Sequence, residues 1–407
     1  MKKLCFLSIS LLFAASTAFA QFRNDNVLYK TVFPQDLCTT LQHEKNYLLL
    51  DVRSKGEFED TSSSPGYNLG HLKNAVNINV RELGNRLSEI AAYKDQPVYV
   101  YCSHSQRSRR ASKMLTDSGF TNVTNINGGV TAIRQLPEDN CVNNYLVTKV
   151  GYDIIALSKL CKKLAAGDNK TFILDVRSDS AFRRIDLNAN VNSFGQIKNS
   201  VNIPLADLPN RLAEIPAGKD IIAVDLFGDD AARAAAILHD HSYKNVSTLL
   251  EGMDRLYFTD SRDQACLKNY YTSPVKYTIM NSADFRRFTE QNTDYLVLDV
   301  RPLEEFANRH KEYWRNIGHI VNAVNIPSSE LKDKIIEIEK YRNKPVFVYT
   351  FSAGKEAHEA ANVLVNRGFT NVNILAGGLF NLRWTSNNVP GNSSLSKMVT
   401  DIPAENL

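Results

Sequence analysis

Short apolar runs alternate with stretches of helical periodicity along most of the chain. Residues 47–52 and 98–101 are rich in Leu, Val and Tyr, a pattern typical of buried parallel strands. A polar loop follows the second run, and residues 108–118 then place apolar side chains at helical spacing up to Gly119, a residue type that commonly ends a helix. Strand, loop and helix in alternation predict a parallel sheet flanked by helices.

This pattern is present three times. A Leu-Asp-Val-Arg motif recurs at a constant interval of 124 residues and begins at Leu50, Leu174 and Leu298. A second shared segment, which ends in Val-Asn-Ile in every copy, follows each motif and begins at Gly70, Gly195 and Gly318. A unit of about 125 residues is large enough to bury its own core, so we expect separate domains and not a solenoid.

Polar stretches near Asn143 and Tyr270 separate the units. We therefore predict domains over residues 21–143, 144–270 and 271–388. The remaining residues, 389–407, form a polar tail that we expect to fray.

The N-terminus has the parts of a secretory signal peptide. Two lysines precede an apolar run at residues 4–15, and Ala18 and Ala20 form a small-x-small cleavage site. Cleavage would remove residues 1–20 and export the chain to the periplasm or the medium; an uncleaved anchor is the alternative. Because no later segment has about 18 consecutive apolar residues, we expect no membrane span in the mature chain.

Charge adds little about the substrate. The 407 residues carry 48 Lys and Arg against 44 Asp and Glu, a formal net charge of +4, which falls to +2 without the two N-terminal lysines. So small an excess predicts neither nucleic-acid binding nor attraction to an acidic membrane.

The Asp-Val-Arg motif and the Gly-His-(Ile/Leu)-x-Asn-Ala-Val-Asn-Ile segment resemble the structural signature of the rhodanese family. The three resemblances together cover nearly the whole mature chain. They imply three tandem α/β domains, each with a parallel sheet of about five strands and helices on both faces. Where the active loop is intact, they also imply transfer of sulfur through a cysteine persulfide, from a small anionic donor such as thiosulfate to cyanide or a thiol.

The active loop of that family follows a strand and has the form Cys-x-x-Gly-x-Arg. In the first domain, Cys102 stands at the nucleophile position and Arg107 at the arginine position. A loop between a strand end and a helix N-terminus directs backbone N–H groups inward and favours a thiolate, the form that attacks sulfur. We predict Cys102 as the catalytic residue, with a substrate-binding loop of Ser103, His104, Ser105, Gln106, Arg107 and Ser108. A small buried side chain at a strand end is the alternative role for Cys102.

Other residues of the first domain have weaker claims to chemistry. Ser105 replaces the glycine of the family, and a serine would adopt a positive φ only at a cost. We interpret His104 as a solvated side chain or a substrate contact before a general acid or base. The pair Asp51 and Arg53 recurs in units that lack a cysteine, so we interpret it as structural, orienting loops through buried hydrogen bonds.

The second and third domains have lost the nucleophile. Asp225 stands at the cysteine position of the second domain and Asp230 at its arginine position, so its carboxylates would repel thiosulfate. Thr350 stands at the cysteine position of the third, whose Lys355 leaves room for weak anion binding. We expect both domains to pack against the first, to shape its cleft or to bind a protein partner.

The repeats also predict which cysteines are paired. Cys38 and Cys161 hold matching places before the Asp-Val-Arg strand, and Cys141 and Cys266 hold matching places after each unit, while the third unit has neither. We therefore predict the disulfides Cys38–Cys141 and Cys161–Cys266, with Cys102 as the free thiol. Four unpaired buried thiols are the alternative.

Two other functions compete with sulfur transfer. A non-catalytic rhodanese-like binding or scaffold protein of the cell envelope would account for two loops without a cysteine. A cysteine phosphatase would need five residues between the cysteine and the arginine, whereas four separate Cys102 from Arg107. No Cys-x-x-Cys or paired-His spacing is present, so we predict no metal site and no cofactor.

Overall fold

The computed structural model describes residues 28–167, 169–186, 189–259, 269–273, 275–352, 354–389 and 391–403. The predicted signal peptide lies outside these residues. Within them, no helix combines the length and the apolar composition that crossing a membrane requires.

The first domain is built on a parallel sheet of five strands. Its strands are β1 (Lys30–Val32), β2 (Leu48–Asp51), β3 (His71–Leu72), β4 (Val76–Asn77), β5 (Val98–Tyr101), β6 (Val123–Ile126) and β7 (Leu146–Val147). Its helices are α1 (Pro34–Gln42), α2 (Lys55–Glu59), α3 (Gln106–Asp117) and α4 (Gly129–Arg134). The strand order is β1-β6-β5-β2-β4, and β3 and β7 form a separate antiparallel pair.

The second domain repeats this architecture. Its strands are β8 (Asp153–Ile155), β9 (Thr171–Asp175), β10 (Gln196–Ile197), β11 (Val201–Asn202), β12 (Asp220–Val224), β13 (Val246–Leu249) and β14 (Tyr271–Thr272). Its helices are α5 (Leu157–Ala165), α6 (Asp179–Arg183), α7 (Ala189–Ser193), α8 (Asp229–Asp240) and α9 (Arg255–Phe258). The order β8-β13-β12-β9-β11 matches that of the first sheet.

The third domain has the same order again, β15-β20-β19-β16-β18. Its strands are β15 (Thr278–Met280), β16 (Leu296–Asp299), β17 (His319–Ile320), β18 (Val324–Asn325), β19 (Pro345–Tyr349), β20 (Asn371–Leu375) and β21 (Val399–Thr400). Its helices are α10 (Ser282–Gln291), α11 (Leu303–Phe306), α12 (Leu331–Lys334), α13 (Lys355–Asn366) and α14 (Gly378–Asn388). The prediction of three parallel sheets flanked by helices is confirmed.

Both faces of each sheet are covered, which is why the central strands are apolar without alternation. Every residue of β2 and β5 is buried. Side chains of successive residues then enter different cores: Leu50 and Val100 belong to one apolar cluster, while Leu49 and Tyr101 belong to the cluster on the opposite face.

Each domain ends in a short strand that lies beyond the boundary expected from the sequence. Strands β7, β14 and β21 pair antiparallel with β3, β10 and β17 of their own domains. In the third domain the chain does not fray at the predicted tail over its described part. A 3-10 helix spans Ser393–Met398, Leu395 is fully buried, and Val399 is buried in β21. Leu395, Val399 and the partly buried Met398 and Ile402 pack in one apolar cluster of the third domain and dock this segment.

The predicted Cys38–Cys141 disulfide is present and ties α1 to the 3-10 helix Cys141–Tyr145. Cys161 is also disulfide-bonded, and Cys266, its predicted partner, lies outside the described residues. Cys102 is a free, buried cysteine of the described part of the chain.

The first domain contacts both of the others. Leu250, just after β13, is 3% exposed and packs in the core of the first domain. The backbone N–H of Gly66 donates to Asp229 Oδ1 at 2.7 Å, so the loop that follows β12 serves as a domain contact. From the third domain, the Asn388 side chain accepts a hydrogen bond from Arg109 at 2.5 Å.

Candidate active site

Cys102 lies at the carboxyl end of β5, where the loop 103–105 leads into α3. Ligand sites of parallel α/β sheets lie at this edge. The side chain is 1% exposed, and the backbone N–H of Ser105 donates to its Sγ at 3.1 Å. The loop therefore bends back over the thiol and presents a backbone donor to it.

Ser105 adopts the conformation that a glycine would supply. Its φ is +98°, and Gly228 at the matching position of the second domain has φ +96°. The hydroxyl donates to Asn127 Oδ1 at 2.7 Å and accepts from the backbone N–H of Gly128. These bonds anchor the strained residue, so the loop keeps the glycine geometry with a serine in place.

Arg107 does not offer a free positive charge. Its guanidinium makes two hydrogen bonds, of 2.6 and 2.7 Å, to the Glu57 carboxylate and a third of 3.0 Å to Ser103. Burial would raise the pKa of Glu57, but hydrogen bonds from Arg107 and Ser54 outweigh it and lower this pKa to about 2. The pair is therefore charged and mutually neutralised over the physiological range.

Glu57 was not predicted from the sequence, although two signals point to it. It is the third helical residue of a capping box with Ser54, directly after the Asp-Val-Arg motif. The second domain, where Asp230 replaces the arginine, also lacks the acid and has Ala181 in its place. The acid and the arginine are thus lost together.

His104 is held by the second domain. Its Nε2 lies 2.8 Å from Glu251 Oε1 and donates to it. Gln135 of the first domain donates to the other carboxylate oxygen at 3.2 Å, and Arg255 lies 3.6 Å from it. Burial would raise the pKa of Glu251, but His104 and Arg255 hold it below its ordinary value. The loop after Cys102 is thus tied to a neighbouring domain by a hydrogen bond.

Glu251 occupies a position that favours glycine. Its φ is +60°, and the matching residues of the first and third domains are Gly128, with φ +80°, and Gly377, with φ +68°. A non-glycine residue there costs of the order of 1 kcal/mol. This departure from the repeat was a signal in the sequence that our predictions did not use.

The corresponding loop of the second domain is filled by its own side chain. The Asp225 carboxylate accepts backbone N–H bonds from Gly228 at 2.6 Å and Asp230 at 2.9 Å, and one from Ala231. Burial raises the pKa of Asp225 to about 6, and these hydrogen bonds limit the rise. A carboxylate of the second domain therefore already occupies this nest of N–H groups, while the repulsion of thiosulfate stays a prediction.

In the third domain the matching place holds the uncharged side chain of Thr350. The Thr350 hydroxyl donates to the backbone oxygen of Ser352, and Lys355 lies 3.6 Å from Glu359 on the exposed side of α13. Glu305, the counterpart of Glu57, contacts Arg315 instead of a loop arginine.

The Asp-Val-Arg pair makes the predicted buried hydrogen bonds in all three domains. Asp51 and Arg53 are 0% exposed, and Arg53 Nη2 donates to Asp51 at 2.7 Å and to the carbonyl of Gly70 at 2.6 Å. Arg177 and Arg301 make the same two kinds of bond. The motif therefore fastens the second shared segment to the sheet and does not line the thiol.

Cys102, His104 and Arg107 line one side of a cleft of about 930 Å³ to which all three domains contribute. Within the described ranges, no group of three or more His, Cys, Asp or Glu side chains is placed to hold a metal ion.

Similar proteins match single domains of this chain. It is 36% identical over 104 residues to the uncharacterized protein YqhL of Bacillus subtilis, covering 24% of this chain and 74% of YqhL. It is 34% identical over 109 residues to the tRNA uridine(34) hydroxylase of Onion yellows phytoplasma, covering 26% of this chain and 32% of the hydroxylase. It is 31% identical over 105 residues to an adenylyltransferase and sulfurtransferase of Candida albicans, covering 24% of this chain and 22% of that protein.

Solved structures cover more of the chain at lower identity. The thiosulfate sulfurtransferase of Pseudomonas aeruginosa is 16% identical, covers 85% of this chain over 66% of its own, and has a TM-score of 0.23. An anaerobic ergothioneine biosynthesis enzyme of Chlorobium limicola is 15% identical, with coverages of 89% and 98% and a TM-score of 0.27.

The family model for the rhodanese-like domain matches three segments, residues 35–136, 157–257 and 284–383, which together make up most of the chain. Each segment contains one of the three parallel sheets nearly in full. This protein therefore belongs to the rhodanese-like domain family, of which it carries three tandem copies.

Proposed function

We propose that this chain is a sulfurtransferase that carries sulfur as a persulfide on Cys102. The observation that carries the proposal is the Asp225 carboxylate in the matching loop of the second domain, held by N–H groups of residues 228, 230 and 231. An aspartate places its oxygens one bond beyond the atom attached to Cβ, where the outer sulfur of a cysteine persulfide would lie. Residues 105, 107 and 108 are the counterparts of those three donors in the first loop.

The reaction has two half-reactions. The Cys102 thiolate attacks the outer sulfur of an anionic donor such as thiosulfate, the sulfur–sulfur bond breaks, and sulfite leaves with the electron pair. A thiolate or cyanide then attacks the outer sulfur of the persulfide, and the Cys102 thiolate is the leaving group. Backbone N–H groups stabilise the charge on the outer sulfur in both steps.

Since Arg107 is neutralised by Glu57, the backbone and not a free arginine would meet the negative charge of the donor. One relative named above is an adenylyltransferase and sulfurtransferase, which is consistent with this chemistry. The second and third domains, which lack a thiol at this position, would take no part in either half-reaction.

The proposal includes export. The Cys38–Cys141 disulfide supports an oxidising compartment, the periplasm or the outside of the cell. Isolation of the protein from that compartment with Gln21 as its first residue would be the expected result. Recovery of a chain that retains residues 1–20 and stays in the cytoplasm would contradict it.

The test of the function is intact-mass measurement after incubation with thiosulfate. We expect a gain of one sulfur atom, located on the peptide that contains Cys102 and discharged by cyanide as thiocyanate. The Cys102→Ser variant should show neither the gain nor thiocyanate. A wild-type protein with a reduced, accessible Cys102 and no mass gain would refute the proposal.

A non-catalytic binding protein is the second candidate. It is favoured by two loops in which the residue at the cysteine position hydrogen-bonds to the backbone of its own loop. These residues are Asp225 in the second domain and Thr350 in the third. Partner capture that is identical for wild type and Cys102→Ser, with no sulfur loading of wild type, would support this candidate over the first.

A further inference from the structure

The cleft beside Cys102 is too large for the small ions of the proposed reaction. Its volume of about 930 Å³ lies within the range of pockets that bind organic ligands of drug size, roughly 300–1,000 Å³. Thiosulfate or cyanide would fill a small part of it. The rest of the cleft is lined by residues of the second and third domains.

One wall of the cleft is aromatic. The second domain contributes Phe258 to this wall. The third domain contributes Phe380 and Trp384, which lie one turn apart on α14. All three side chains are partly exposed. Phe258 packs against Gly377, where an added Cβ would lie 2.9 Å from its ring. Phe258 is therefore held in place, Phe380 packs on Phe351, and each of the three rings keeps a surface open to the cleft.

The charges of the cleft do not favour a polyanion. Glu57, Glu251 and Asp254 face Arg107 and Arg255, with His104 as a further basic group. Two of the acids are already paired, Glu57 with Arg107 and Glu251 with His104. No excess of positive charge is left for an acceptor that carries several negative charges.

We propose that the sulfur acceptor is a small organic thiol with an aromatic ring and no net negative charge. This proposal rests on the proposed function and names the acceptor for the same site. The ring lies on the wall of Phe258, Phe380 and Trp384. The thiol loses its proton to solvent, and the thiolate so formed attacks the outer sulfur of the persulfide. The new sulfur–sulfur bond forms as the bond to Cys102 breaks; the acceptor leaves as its persulfide, and Cys102 takes the electron pair.

The test separates the two half-reactions. Full-length protein is first loaded with thiosulfate, and the rate of persulfide discharge is then measured with phenylethanethiol, mercaptoethanol and cyanide. We expect wild type to discharge to phenylethanethiol at much lower concentrations than to mercaptoethanol. Trp384→Ala should raise the KM for phenylethanethiol about tenfold and leave loading and discharge to cyanide unchanged.

Trp314 provides the matched control, since it is the other tryptophan of the chain, lies in the same domain and is 44% exposed. Trp314→Ala should leave all three rates unchanged. Equal KM values of wild type for the two thiols, or an unchanged KM in Trp384→Ala, would overturn the proposal.

If thiosulfate does not load Cys102, the proposed function is refuted. The aromatic site can then still be tested by measuring the binding of a ligand that does not react. In Trp314→Phe the remaining tryptophan is Trp384, so its fluorescence reports on the cleft. Titration with phenylethanol, which has the ring but no thiol, should quench this fluorescence with saturation. Absence of quenching would overturn the aromatic site whatever the result of loading.

Discussion

One position of the repeat shows how a single residue decides the chemistry of a loop. Cys102, Asp225 and Thr350 follow matching strands, yet they have different surroundings. The thiol accepts one backbone N–H, the carboxylate accepts three, and the hydroxyl donates to a backbone carbonyl. The second domain fills its nest of N–H groups with its own carboxylate, whereas in the first domain a backbone N–H of the matching loop reaches the Cys102 thiol.

The buried carboxylate of Asp225 should make stability depend on pH. Its pKa is raised by burial from 3.8 to about 6, so the folded state binds this proton more tightly than the unfolded state. Above about pH 6 the charged carboxylate lowers the free energy of unfolding, and this loss disappears as the pH falls towards 3.8. For a pKa shift of this order, the loss of unfolding free energy is about 3 kcal/mol.

Asp225→Asn removes that charge. The free energy of unfolding of this variant minus that of wild type should therefore fall by about 3 kcal/mol between neutral pH and about pH 4. Urea unfolding at each pH measures this difference. The exposed Asp240→Asn serves as the control and should show a much smaller trend. A difference between Asp225→Asn and wild type that stays constant over this range would contradict the prediction.

At the scale of elements, the three domains end in the same strand pairing but hold that end in place through different interactions. Each ends in a strand that pairs with its own third strand, and a 3-10 helix precedes that strand in the first and third domains. The first domain secures this end with a disulfide, and the third buries Leu395. Arg286 stands at the fifth position of α10, where α1 and α5 carry their cysteines, so no bridge could form there.

The disulfide of the first domain closes a loop with a sequence separation of 103 residues. A double variant with Cys38→Ser and Cys141→Ser should lose about 2–5 kcal/mol of unfolding free energy, because the unfolded chain gains freedom. Urea unfolding without reductant measures it. Cys102→Ser should unfold like wild type, and equal stability of the double variant would refute a stabilising bridge.

At the scale of the molecule, residues of the two domains without a thiol support the active loop. Glu251 holds His104 from the second domain, and the backbone carbonyl of Asn388 accepts a hydrogen bond from Asn127, which in turn binds the Ser105 hydroxyl. The second and third domains therefore position the loop that follows Cys102 in the first domain. This corresponds to the packing and cleft-shaping roles expected from the sequence.

Glu251→Gly tests whether this support matters for sulfur transfer. Glycine relaxes the positive φ, which compensates for lost contacts, so the unfolding free energy should change by only about 1 kcal/mol. The kcat/KM of sulfur transfer should nevertheless fall about tenfold, because His104 loses its partner across the cleft.

The pH profile of transfer distinguishes positioning from a purely structural role. Glu251→Gln keeps the reach of the side chain and removes the charge, so it should restore part of the rate and shift the profile. If Glu251→Gly alters stability while both the rate and the pH profile remain those of wild type, Glu251 is structural only.

The sequence by itself determined the features that depend on local pattern and residue identity. Strand and helix periodicity, three copies of one motif and the position of Cys102 at a strand end predicted the parallel sheets and the candidate thiol. The paired occurrence of cysteines predicted the Cys38–Cys141 bridge that the structure contains.

Only the tertiary structure decided which side chains meet. The Glu57–Arg107 pair, the Glu251–His104 contact and the aromatic wall join residues that are 50 to 147 positions apart or lie in different domains. Periodicity reports which face of an element is buried but not which distant element covers it. The same reason explains the segment 393–400, whose mostly polar composition hid the apolar residues that dock it, Leu395, Met398 and Val399. The chemistry of the loop is therefore readable in the chain, while the cleft that surrounds it is a product of how three domains pack.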